Sequence, residues 1–570
     1  MHHLSTPSTN RFSLLLSLTV LLVLLAGCDS GTSGNSQPVD SSAVTTSIRG
    51  AIQYEDWEYD AAGFTGVATL KPVRYAAVDL VDAAGTTLAT TTTDASGNYQ
   101  ISGSGDGLYV RVLAQTAQGH GAAVSINNLT GSLYAATKAI DSGNQSDNTQ
   151  GAGTVTVDLT ITDSTGVGGP FNMLDLLTSA AQYIGELSDI TLPPLAVYWQ
   201  KGTNTYGTYY CFNTFTSSQC PRGSGIYVSG GIGNSGDTDH YDDDVLWHEF
   251  SHYLEDTLNI LDSPGGPHKL TDNDLDLRLA WSEGWGNFFP TAIKTWLNTT
   301  QPQRLSNTPE TVLSRYVDTV GNISNSDVAI SIDLANPGTC GSEDCFLYSS
   351  NEVAVAKILY LLNDSYGMQS LWTVYQEYLT GLSDGFVNME SYWDGFLTQT
   401  QPDAGQLAIL QSIYSERQIY YQQDSFEAMS DAVPNPLREI SVCMMSPCVG
   451  EVHYFYLTDG SDDTDIVAFA AKHGKTYRVE TFGLKNGADT YLSILDDSGN
   501  VVTGGGGSPL ENDDRNNDCG LCVNDSLSFS SLIQFTPRSA GTYYIKVITT
   551  AEAADGAGRY GTYSLKVTEL

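Results

Sequence analysis

Val245-Leu-Trp-His248-Glu249-Phe-Ser-His252-Tyr-Leu254 is the stretch on which the reading of this chain turns. Its apolar residues fall at helical spacing, and residues four apart on a helix share a face. His248 and His252 can therefore offer their imidazole nitrogens to one cation. Glu249 sits one position on, close enough to reach a water on that cation while staying unligated. A general base beside an acidified water is what attack on an amide carbonyl requires. The plain alternative is a pair of core or surface histidines on an acidic helix; the apolar context favours the ligand reading.

Two imidazoles leave a third ligand to find. Downstream lies Leu279-Ala-Trp-Ser-Glu283-Gly-Trp-Gly-Asn287-Phe-Phe289, a second apolar helical stretch with one acid inside it. A lone carboxylate among Trp281, Trp285 and Phe288 is costly, and ligating a cation relieves the cost. His268, in a loop between the two helices, and Asp256, one turn after His252, are the rivals. Asp272, Asp274 and Asp276 fall at EF-hand spacing with Glu283 in the twelfth position, but Leu277 stands where that loop needs its turn glycine. That match reads as coincidence, or at most as an acidic loop lending calcium to this region.

The two motifs together resemble the gluzincins, including thermolysin- and fungalysin-like peptidases, over roughly residues 225–365. A metzincin is excluded, because Glu255 and Leu258 stand where that class needs Gly and His. The resemblance implies a zincin-like α+β fold, one catalytic Zn2+ held by His248, His252 and Glu283, and Glu249 as base toward the zinc-bound water. In the thermolysin pattern an Asp four residues beyond the third ligand orients a ligand histidine. Asn287 occupies that place here and would raise imidazole basicity less. The strand-like Gly225-Ile-Tyr-Val-Ser-Gly-Gly231 upstream is expected as the edge that pairs with an extended peptide. For the oxyanion, Tyr348 is the first candidate donor and His268 the second.

Outward from this centre, 570 residues suggest about three or four domains. Hydrophobic residues make up 41%, enough for packed cores, which rules out global disorder. A net charge of −40 argues against nucleic acid or an anionic lipid surface as partner, and disfavours acidic substrates. The expected organisation is multidomain, with an α+β zincin-like domain at 166–435 flanked by two all-β sandwiches at 47–165 and 436–570. Thr93-Asp94-Ala-Ser-Gly97-Asn98-Tyr99 gives the first flank its resemblance to the carboxypeptidase-regulatory-like (transthyretin-like) sandwich. Gly487-Ala-Asp489-Thr-Tyr-Leu492, Asn512-Asp-Asp514 and Gly541-Thr-Tyr-Tyr-Ile-Lys-Val547 give the second its resemblance to the bacterial pre-peptidase C-terminal domain. The acidic turns of that module are candidates for Ca2+, with a solvated loop as the alternative.

Residues 1–27 read as a signal peptide. An apolar run from Leu14 to Leu25 is about half a membrane span and ends in Leu25-Ala-Gly-Cys28, which resembles a lipobox. Cys28 would then be lipidated, residues 28–46 would form a flexible tether, and the protein would face the periplasm or exterior on a lipid anchor in the cell envelope. The other eight cysteines fall into four local pairs, read as disulfides of an exported chain: Cys211/Cys220, Cys340/Cys345, Cys443/Cys448 and Cys519/Cys522. A metal site on Cys519-Gly-Leu-Cys522 would need a second such pair, and none is near. These expectations converge on an exported, lipid-anchored zinc metallopeptidase with a peptide or protein substrate. The alternative is a binding or adhesion lipoprotein whose metal site only stabilises a scaffold.

Overall fold

The computed structural model describes residues 45–570, apart from 118–121, 141–153, 204–206, 213–219, 232–235, 274, 306–307, 321–322, 324–326, 337–345, 383–386, 422–438, 445–450, 456–463, 487, 514–528 and 550–560. Several β-sheets and a set of helices make it an α+β protein. Among the described residues no helix is long and apolar enough to cross a membrane. The expected signal, lipidated Cys28 and tether up to residue 44 lie outside the described residues, as do Cys340, Cys345, Cys448, Cys519 and Cys522; Thr46, expected in the tether, already begins a strand.

Short polar turns build the amino-terminal strands. Asp94 Oδ1 accepts the backbone N–H groups of Ser96 (2.8 Å) and Asn98 (2.9 Å). Gly97 there takes φ 76°, and a Cβ on it would lie 2.4 Å from the Ile52 carbonyl oxygen, so only glycine fits this entry into the strand Asn98–Gly103. Asp82 closes the preceding turn in the same way, accepting from Ala84 and Thr86 at 2.9 Å each. Asn98–Gly103 pairs with the long strand Thr46–Asp60, which also pairs with Gly63–Pro72, Thr154–Thr156 and Leu159–Ile161.

A second, eight-stranded sheet carries the architecture across the boundary expected at 165/166. Its order is Tyr209–Cys211, Gly225–Tyr227, Leu195–Tyr198, Val124–Asn127, Tyr109–Thr116, Ala76–Val81 and Thr87–Thr92, with Ala135–Ala139 also on Tyr109–Thr116. Val124–Asn127 and Leu195–Tyr198 are parallel, with Val197 opposite Ile126. Parallel neighbours need a crossover, and helix α1 (Gly168–Leu187) lies between them in the chain. Arg74 and Arg304 converge on Asp175 of α1, which also accepts from Tyr54 at 2.7 Å. One hydrophobic core runs from Ile48 to Tyr421. The first two expected modules therefore share a sheet and a core: Leu195–Tyr198 joins Val124–Asn127 edge to edge, and Phe171, Leu174 and Leu177 of α1 pack into the same core.

The remaining helices are α2 (Asp243–Thr257), α3 (Leu277–Thr300), α4 (Glu352–Tyr366), α5 (Met368–Thr373), α6 (Met389–Thr400) and α7 (Ala404–Ser415). The carboxy-terminal part has two four-stranded sheets and a separate core, with Val467, Phe469, Ile545 and Val547 of one sheet meeting Tyr477, Val479, Leu565 and Val567 of the other. Asn486 links it to the larger core, accepting from the Ser349 N–H at 2.9 Å and donating to the Gln418 carbonyl at 3.0 Å. Cys211 and Cys220 form a disulfide; Cys443 is also disulfide-bonded.

Candidate metal centre

Helix α2 carries the first motif on a buried face. Asp242 precedes it, but its carboxylate turns to Thr319, accepting from the backbone N–H at 3.2 Å and the hydroxyl at 2.7 Å. Asp243 and Asp244 fill the first turn, where negative charge suits the helix dipole. Below them Asp244 meets Lys294 of α3 at 2.7 Å, with both side chains fully buried. That pair pins α3 against α2.

His248, His252 and Glu283 come together across the two helices. His248 Nε2 lies 3.1 Å from Glu283 Oε2 and 3.1 Å from His252 Nε2, and His252 Nε2 lies 3.8 Å from Glu283 Oε2. Tetrahedral bonds of roughly 2.1 Å place ligand atoms about 3.4 Å apart, so this triangle matches one small divalent cation. The donor set of two imidazoles and one carboxylate fits as well. Burial favours a neutral Glu283, but hydrogen bonds from the two histidines win and hold its carboxyl well below the usual range. Burial likewise opposes charge on His252, yet Glu255 and Glu283 raise its pKa well above the ordinary value.

The two histidines are held in different ways. His252 Nδ1 faces Glu255 Oε2 at 3.1 Å and Ser282 Oγ at 3.1 Å, and the Ser282 hydroxyl donates to Glu255 at 2.5 Å. Glu255, one turn along α2, thus fixes the orientation of the His252 ring. His248 is seated by shape. Its ring lies 5.7 Å from that of Tyr316, and a Cβ at Gly286 would fall 2.6 Å from its Cε1.

Asn287 departs from its expected role, donating to Glu352 Oε2 at 3.0 Å. One turn beyond Glu283 it faces α4, while Glu255 already occupies the place beside His252. Glu352 is 2% exposed, and burial with the nearby Glu283 charge raises its carboxyl. His268 stands at this side of the centre, with Nε2 3.7 Å from Glu283 and 3.9 Å from Glu352. Burial opposes its protonation, but these two carboxylates raise its pKa. Asp256 points elsewhere and accepts from the Tyr210 hydroxyl at 2.6 Å.

Glu249 is buried beside the triad. Desolvation raises its carboxyl, partly offset by His248, His252 and the Tyr210 backbone N–H. Tyr348 lies in the turn before α4 at φ 73°, its N–H bonded to the Arg417 carbonyl at 2.8 Å. Tyr316 packs on the His248 ring. It belongs to the strand Arg315–Thr319, paired with Val328–Asp333, and burial followed by the charges of Asp318 and Glu249 pushes its hydroxyl well up.

The strand upstream of α2 also differs from expectation. Gly225–Tyr227 is paired on both sides, parallel to Leu195–Tyr198 and antiparallel to Tyr209–Cys211. Among the described residues the outermost strand is Tyr209–Cys211, which pairs antiparallel with Gly225–Tyr227 and ends at the disulfide-bonded Cys211. Comparison of the chain with protein-family models and with curated proteins finds no match.

Proposed function

We propose that this chain is an exported, lipid-anchored zinc metallopeptidase that hydrolyses peptide bonds in proteins or peptides outside the cytoplasm, built on a zincin-like domain. The convergence of His248, His252 and Glu283 on one point, with Glu249 buried beside them, is the observation that carries the reading. Two imidazoles and one carboxylate are a donor set of catalytic zinc sites, which keep a further position for water or substrate. Zinc there would supply Lewis acidity, acidifying a water and polarising the scissile carbonyl.

The chain's own residues supply the rest. Glu249, buried beside the triad, accepts the water's proton and returns it to the leaving amine. His268, 3.7 Å from Glu283, and Tyr316, packed on the His248 ring, join Tyr348 as candidate donors to the developing oxyanion. The outermost strand Tyr209–Cys211 supports binding of an extended peptide by strand addition, next to the Glu249 carboxylate that its Tyr210 N–H reaches. Export and the lipid anchor rest on Leu25-Ala-Gly-Cys28.

The test is cleavage of denatured casein by the zinc-loaded protein beside Glu249→Gln of equal zinc content. Loss of general-base catalysis should cost about 10²–10⁴-fold with zinc retained. No cleavage by either protein, both folded and zinc-loaded, would overturn the peptidase reading and leave a metal-stabilised binding scaffold.

A further inference from the structure

A second group of carboxylates stands beside the centre described above and gives it no ligand. Oxygens of Asp237, Asp239 and Asp318 lie within 4.8 Å of one another. The first two precede α2, and the third stands on the strand Arg315–Thr319. Asp239 is 4% exposed; its Oδ2 accepts from the Thr208 hydroxyl, while its Oδ1 is buried with no hydrogen-bond partner. Among the described residues neither Asp239 nor Asp318 forms an ion pair with a Lys or Arg. Asp242 brings another carboxylate close by, but Thr319 satisfies it.

A buried carboxylate with one oxygen unpartnered, clustered with two further carboxylates, is costly to fold. A cation removes that cost, and the donors choose its kind. They are all hard oxygens, with neither nitrogen nor sulfur, which excludes the preferences of zinc and copper. Magnesium demands near-ideal octahedral geometry and usually takes one or two carboxylates. Three carboxylates from two separate segments suit the larger, geometrically tolerant calcium ion.

The geometry points to a calcium site formed by Asp237, Asp239 and Asp318, separate from the His248–His252–Glu283 centre. The ion ties the segment leading into α2 to the strand that bears Tyr316. It thereby braces the strand whose Tyr316 packs on the His248 ring.

The experiment uses the full zinc-loaded protein, freed of calcium, with calcium titrated calorimetrically and thermal unfolding followed at each concentration. Binding in the range of extracellular calcium modules, a Kd of about 10⁻⁴–10⁻³ M, and a rising Tm are expected. Asp318→Asn should lose one bound calcium while keeping its zinc. Its Tm effect should also change sign: above wild type without calcium, where a repelling charge is gone, and below it with calcium. Asp237→Asn, at the half-buried rim, should behave alike and serves if Asp318→Asn fails to fold. The proposal is overturned if the wild type takes up no calcium at about 10 mM, well above that range. It is equally overturned if both variants bind as many calcium ions as the wild type, which would put the binding elsewhere, as in the carboxy-terminal acidic turns. Neither readout depends on peptidase activity.

Discussion

Gly286→Ala tests how the centre is assembled. The added Cβ would lie 2.6 Å from His248 Cε1, 2.8 Å from Nδ1 and 2.9 Å from Nε2. Carbon contacts begin at about 3.5 Å, so the ring must move by roughly 0.9 Å unless α3 retreats. Retreat is blocked: on the side of α3 facing α4 a Cβ at Gly284 would meet Val355 at 2.5 Å, and Trp285 stacks on Tyr375 at 4.1 Å. The imidazole therefore gives way. Metal sites tolerate ligand shifts of only about 0.2 Å, and disturbing a ligand's support typically costs 10–100-fold in affinity. Zinc affinity should fall by at least that factor, about 1.4–2.7 kcal/mol. The stripped protein should change less, since overpacking of about 1–3 kcal/mol is offset by about 1 kcal/mol of helix propensity gained over glycine. Gly185→Ala in α1 is the control: its Cβ meets nothing within 4 Å, so only the propensity gain remains. Chelator competition measures the affinity, and denaturant unfolding with and without zinc measures the stability. Wild-type zinc affinity in Gly286→Ala would refute the steric seating of His248.

Two further outcomes follow from buried charge. Burial pushes Lys294 down and Asp244 up, toward their neutral forms, and their contact at 2.7 Å opposes both shifts. Lys294→Met leaves Asp244 buried and unpaired, which should cost about 3–5 kcal/mol in denaturant unfolding; a loss below about 1 kcal/mol would show that Tyr59 and the Val317 N–H suffice for Asp244. His240 is held neutral: burial depresses its pKa to about 3, against about 6.5 for a free histidine. Its contribution is thus complete above the free value and is lost as pH falls from about 6.5 toward 3, by roughly 2 kcal/mol between pH 6 and 4.5. His240→Phe should remove that part of the acid slope in urea unfolding, and a slope equal to wild type would count against the assignment.

Helix periodicity made much of the centre legible. The spacing of His248 and His252 specifies a common face with Glu249 one position on, and α2 and α3 lie where apolar spacing expects them. Glu255 was equally readable, three residues beyond His252, yet only its contact at 3.1 Å distinguishes it from any other acid on α2. Helices α5 and α6 were less visible. Met389–Thr400 contains Gly395 and the β-favouring Tyr392, Trp393 and Phe396; its helical signal is the Asn388–Ser391 capping box. Gly395 serves packing, since a Cβ there would meet Tyr378 at 2.5 Å.

Local order in this chain is written in its sequence, because helix spacing and turn chemistry act over a few residues: the histidines four apart, the Asp94–Gly97 turn, the apolar faces. Only tertiary structure brought Glu283 to within 3.1 Å of His248, laid Tyr316 against the same ring, and carried one sheet across residue 165. It also moved the sheet edge from Gly225–Tyr227 to Tyr209–Cys211, and gathered Asp318 to Asp237 and Asp239. Those placements depend on which surfaces can approach closely, through Gly284, Gly286 and the buried Lys294–Asp244 pair. Such fits join residues far apart in the chain, where no periodicity reaches.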